Sequence, residues 1–91
     1  MDKLKVWIAI KMANRRQYGH KLINLSDLLR WVPSHLRGEA KRCIEELYKE
    51  GFLNKRPGVQ GEFRYSLRID KKREIDKLIE EEMYINDTFK V

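Results

Sequence analysis

Arg37, Lys41 and Arg42 lie close together in the chain, beside Ser34, His35 and Gly38. If that stretch is helical, a rotation of about 100° per residue gathers His35, Gly38, Lys41 and Arg42 on one face. The chemistry available there is anion recognition. A guanidinium can grip a phosphate or the acceptor edge of a guanine with two parallel hydrogen bonds, and the free amides of a helix start also favour phosphate. A second basic set, Lys55, Arg56, Arg64 and Arg68, brackets the turn-rich Pro57-Gly58-Val59-Gln60-Gly61. Those residues suit phosphate neutralisation, and the same types on edge strands also guard against sheet-to-sheet aggregation.

Other chemistries find less support. Ser26, Asp27, Ser34 and His35 contain the letters of a hydrolytic triad, but no strained nucleophile turn or oxyanion-hole sequence accompanies them. A phosphate-cradling Gly-Lys-Ser/Thr loop is also missing. The single cysteine, Cys43, has just His20 and His35 as companions, which is no ligand set for a structural zinc, and its place on an inward helical stripe reads as a packed thiol. The expectation is a protein that is not an enzyme and carries neither cofactor nor metal.

Size and charge agree with that expectation. With 91 residues the chain has room for one small domain, spanning 1–91. A domain this small hides roughly 60 to 65% of its unfolded surface, so a roomy substrate cavity would compete with the core. Hydrophobic residues make up 42% and charged residues 37%, a composition that folds and presents a dense ionic surface. The net charge of +6 divides unevenly, as +8 over residues 1–69 and −2 over residues 70–91. A basic body with an isoelectric point near 9.6 favours a polyanionic partner, with nucleic acid as the leading candidate. The longest apolar run, Val6 to Ile10, is far short of a membrane span, and no signal-peptide pattern is visible. A soluble, cytoplasmic protein without a membrane partner is expected. The Lys-, Glu- and Ile-rich composition leans towards that of a thermophile.

The elements that must position these residues follow from periodicity. Leu4, Trp7, Ile8 and Met12 recur at helical spacing and predict a first helix over about 3–14, largely buried. Lys21 to Asn24 reads as a short extended piece. Asn24 with Asp27 three residues on reads as a capping pair that opens a second helix over about 25–32, with Leu25, Leu28, Leu29 and Val32 inward, stopped by Pro33. Ser34 can cap a third helix over 34–50 that buries Leu36, Ala40, Cys43, Ile44 and Leu47 and ends at Gly51. A hairpin over about 52–69 follows, its second arm alternating Phe63, Tyr65, Leu67 and Ile69 against Glu62, Arg64, Ser66 and Arg68. Trp7, Trp31, Phe52, Phe63 and Tyr65 are assigned to core packing rather than base stacking. Asp70 caps a last helix over about 71–83, and residues 84–91 form a tail. The fold class expected is mainly α with a small β-hairpin.

This order of elements resembles the winged helix-turn-helix family across roughly Leu4 to Ile69. The most characteristic part is Ala40-Lys41-Arg42-Cys43-Ile44-Glu45-Glu46-Leu47-Tyr48-Lys49-Glu50-Gly51-Phe52-Leu53, followed by Gly61-Glu62-Phe63-Arg64-Tyr65-Ser66-Leu67. In that family a Leu-x-x-x-Gly-apolar-apolar segment leads from the recognition helix into the wing. The chain departs from the commonest pattern in carrying Gly38, Glu39 and Glu45 among the basic residues. The resemblance implies a three-helix core with a wing and an extra C-terminal helix. It also implies double-stranded DNA as partner and a role in transcription regulation, with the third helix in the major groove and the wing on the backbone. The residues expected to meet DNA are Ser34, His35, Arg37, Gly38, Lys41, Arg42, Lys55, Arg56, Arg64 and Arg68. A protein-docking module, favoured by outward Glu39, Glu45 and Glu46 and the acidic run Glu80-Glu81-Glu82, and RNA binding are the rivals. Ile75, Leu78, Ile79 and Met83, followed by Tyr84, Ile85 and Phe89, suggest a homodimer seam along the last helix. The alternative is that this stripe folds back onto the first helix.

Overall fold

A computed structural model describes residues 3–82 of the chain. They form a mixed α+β structure in the order α1 (Lys3–Asn14), β1 (Ile23–Asn24), α2 (Leu25–Arg30), α3 (Arg37–Lys49), β2 (Leu53–Pro57), β3 (Phe63–Leu67) and α4 (Lys72–Glu82). Met83 and the expected tail lie outside the described residues. Among the described residues no helix is long and apolar enough to cross a membrane.

The helix α1 is buried almost all round, with Leu4, Val6, Trp7, Ile8, Ala9, Ile10 and Met12 in the core. A helix apolar on every side must be covered on every side, and α3, α4 and β3 all pack against it. From α3 the stripe Ala40, Cys43, Ile44 and Leu47 enters the same core, as its spacing predicts. Leu28 and Val32 join from the α2 region, Leu53, Tyr65 and Leu67 from the sheet, and Ile75 from α4. Each large aliphatic side chain fully withdrawn from water contributes about 1.5–3 kcal/mol.

Helix boundaries depart from expectation where caps decide them. The second helix stops at Arg30, because Trp31 and Val32 donate to Leu28 and Leu29 in a tightened last turn before Pro33. Asn24 occupies the cap position in an extended conformation, yet its side chain makes no capping bond. The amide of Ser26 instead donates to the Glu62 carboxylate at 2.6 Å, a cap supplied from the far end of β3. Asp27 faces Arg30 at 3.5 Å. Ser34 does not cap the third helix either. Ser34–Leu36 is a 3₁₀ turn, and α3 proper begins at Arg37. Asp70 gives its carboxylate to Arg68, and the turn Ile69–Lys71 precedes α4.

The expected hairpin is part of a three-stranded antiparallel sheet in the order β1-β3-β2. Its register pairs Leu53 with Leu67, Lys55 with Tyr65 and Pro57 with Phe63 on one face, and Asn54 with Ser66 and Arg56 with Arg64 on the other. Alternation therefore holds, but burial does not follow it to the ends. Phe63 is 44% exposed near the hairpin tip, and Ile69 is 67% exposed in the turn beyond β3. Both fall outside the expected core because the helices reach just the root of the hairpin. Ser66, expected to face water, is fully buried: its hydroxyl donates to Gly19 O at 2.7 Å and accepts from Asn54 Nδ2 at 3.1 Å. The segment that covers it is pinned to β3 by Gly19 N–H to Leu67 O and Leu67 N–H to Gln17 O. At the tip, a side chain on Gly58 would meet Glu62 O at 2.5 Å, so the turn requires glycine there.

Candidate nucleic-acid interface

The outward face of α3 begins with Ser34 and His35, exposed in the 3₁₀ turn. Arg37 is exposed, and its Nε donates to Leu29 O at 3.0 Å, holding the start of α3 to the end of α2. Gly38 faces open space, with no atom of the described residues beyond its own helix backbone and chain neighbours within 4 Å of where a Cβ would stand. Lys41 is exposed one turn further on, with no ion pair among the described residues. The three basic or imidazole side chains, His35, Arg37 and Lys41, and the bare glycine make an exposed cationic surface.

Arg42 differs from them. It reaches Glu39 Oε2 at 2.9 Å and Glu46 Oε2 at 2.5 Å, one helical turn away on either side. Glu46 is shared with Lys5, whose ammonium, though 6% exposed on α1, lies 3.0 Å from Glu46 and 2.8 Å from Glu50. The bond to Glu50 leads the causes that hold the Lys5 ammonium above its ordinary range, and burial opposes it. The bonds from Lys5 and then Arg42 pull the Glu46 carboxyl below its ordinary value. A chain of alternating charge thus runs Glu39, Arg42, Glu46, Lys5, Glu50 across the α1–α3 joint.

On the hairpin, the register places Lys55 and Arg56 on opposite faces. Lys55 turns towards α3, where both Glu45 carboxylate oxygens accept from it at 3.0 and 3.3 Å. Arg56 and Arg64 stand directly opposite one another across the ladder, like charges with no carboxylate partner among the described residues, an arrangement that is unfavourable until an anion joins it. Arg64 Nε is buried without a hydrogen-bond partner among them. Arg68 forms a two-pronged pair with Asp70 at 3.0 Å for each bond.

The expected set therefore separates into groups with no carboxylate partner among the described residues, which are Ser34, His35, Arg37, Gly38, Lys41, Arg56 and the half-buried Arg64, and groups already neutralised within the chain, which are Arg42, Lys55 and Arg68. Glu39, Glu45 and Glu46 read in the sequence as outward acidic residues of the third helix, but not as the partners of these cations. Glu39 and Glu46 stand three residues before and four after Arg42, a legible helical spacing. Glu45 and the aromatic rings meet Lys55, and Lys5 meets Glu46, through tertiary packing that no local pattern announces. Cys43 is buried inside the core, as its stripe predicts.

No family of known proteins, no curated sequence and no solved structure matches the chain.

Proposed function

We propose that residues 3–67 are a winged helix-turn-helix, with α2 and α3 as the helix-turn-helix pair and β2–β3 as the wing, and that the chain binds double-stranded DNA as a transcription regulator. The reading is supported by the β1-β3-β2 sheet behind two helices joined through a short turn, and by the cationic start of α3. The observation that carries it is the open face at Gly38, flanked by exposed His35, Arg37 and Lys41, where a backbone can approach a groove without obstruction. Binding works through phosphate neutralisation by Arg37, Lys41, Arg56 and Arg64. Base-edge contacts come from the first two turns of α3, Arg42 exchanging its glutamates for a guanine edge.

The test is a titration with mixed-sequence duplex DNA between about 50 and 200 mM salt, in which each phosphate contact adds about 0.9 to the slope of log affinity against log salt. Steep, salt-sensitive binding supports the reading, and no binding even at low salt refutes it. A duplex RNA competitor that displaces the DNA at equal concentration would favour RNA instead. A second reading, a docking module for another protein, draws on the internal pairing of Arg42, Lys55 and Arg68 and on the exposed Tyr48, Phe63 and Ile69. Dimerisation through α4 has a narrower basis than the stripe suggested, since Ile75 is buried and Ile79 packs against this chain's own core, leaving Leu78 half-buried beside Phe52.

A further inference from the structure

Lys55 lies among four side chains, with 20% of its own side chain exposed. Glu45 of α3 accepts from it with both oxygens, and the ring centroids of Phe63, Tyr48 and Tyr65 lie 4.4, 5.1 and 6.0 Å from Nζ. The rings come from both sides of a joint: Tyr48 belongs to α3 and is 41% exposed, whereas Phe63 and Tyr65 belong to β3. A carboxylate with three aromatic faces is the ordinary chemistry of a site built to hold an organic cation. Here the cation is the chain's own. Its position matters, because the core that ties the hairpin to the helices ends at Leu53, Tyr65 and Leu67, and the strands run on past it to an exposed Phe63.

We propose that Lys55 is a positioning residue that sets the angle of the β2–β3 hairpin against α3 by filling a cage made of Glu45, Tyr48, Phe63 and Tyr65, and that it does not contact a polyanion. The consequence for binding rests on the reading that α3 and the hairpin engage one duplex together. The cage itself does not. Because the ammonium already lies against Glu45 and beside the ring faces, turning it to a phosphate would break that carboxylate pair and strip the rings of their cation. The hairpin arginines on the other face, Arg56 and Arg64, carry no such restraint.

Two measurements test this, one on the free protein and one on the complex. In urea unfolding, Lys55→Met keeps the aliphatic stem and removes the charge, and a double-mutant cycle with Glu45→Gln isolates the coupling. The expected coupling is between about 2- and 30-fold in the unfolding constant. Spin labels on Gln60→Cys and Lys41→Cys, in a Cys43→Ala background, should give a broader distance distribution when Lys55→Met is added. No coupling and an unchanged distribution would overturn the cage whether or not the protein binds DNA. In the salt titration, Lys55→Met should weaken every duplex while leaving the slope unchanged, and Lys55→Arg should recover part of the affinity. A slope that falls by about 0.9 would show Lys55 to be a phosphate contact and overturn the proposal. If the wild-type chain binds no duplex, the proposed function fails, and the coupling and the distance distribution still decide the cage.

Discussion

Gly38 weakens the helix it sits in by roughly 0.5–1 kcal/mol relative to alanine. Crowding does not explain its presence, since the space over it is empty. Gly38→Ala should therefore stabilise the free protein by about that amount. Its affinity for a duplex should fall, and Gly38→Leu should remove most specific binding by holding Arg42 away from the base edges. Melting temperature and duplex affinity measured on the alanine variant check both halves. A stabilised variant with unchanged affinity would take Gly38 out of the interface. This glycine was legible in the sequence as an outward residue, because a 100° rotation locates it without any tertiary knowledge. The restraint on Arg42 by Glu39 and Glu46 was legible by the same rule, whereas the engagement of Lys55 was not, since nothing local in Asn54-Lys55-Arg56 says which face of the hairpin looks at α3.

At the scale of elements, the joint between α1 and α3 is built on a cation placed inside the core boundary. Glu46 has a folded pKa below its ordinary value of 4.5, so its pairing contributes stability above that value and loses it as pH falls through the carboxylate range and below. Lys5, raised above 10.5, keeps its contribution throughout that range and loses it at strongly alkaline pH. Glu46→Gln should lower stability at pH 7 and flatten the decline between neutral and acid pH, so that the variant and wild-type curves converge when the carboxylate is protonated. Urea unfolding followed from pH 7 to about pH 2 reads this directly, and parallel curves would contradict it. The helix periods predicted α1, α3 and α4 closely, since burial stripes are local. Their ends were less legible: the Ser26 amide takes its cap from Glu62, a partner that sequence spacing cannot suggest, and the 3₁₀ turns at Ser34–Leu36 and Ile69–Lys71 replace the caps expected from Ser34 and Asp70.

For the molecule as a whole, α4 belongs to the same core as the other helices. Ile75 is fully buried and packs in the cluster with α1, whereas Ile69, six residues earlier, lies in the open. Ile75→Ala should cost about 2–5 kcal/mol, and Ile69→Ala should change stability by less than about 0.5 kcal/mol. A loss at Ile75 of under about 1 kcal/mol, measured by urea denaturation, would mean that α4 is loosely attached and free to pair elsewhere. The central claim is that the start of α3 and the outer arginines of the hairpin form one face for duplex DNA. The most direct test is an amide chemical-shift map of the chain titrated with mixed-sequence duplex at low salt. The account predicts the largest shifts at residues 34–42 together with Arg56 and Arg64, and small ones at Lys55 and along α4. Shifts centred on Tyr48, Phe63 and α4, or none at all, would contradict it.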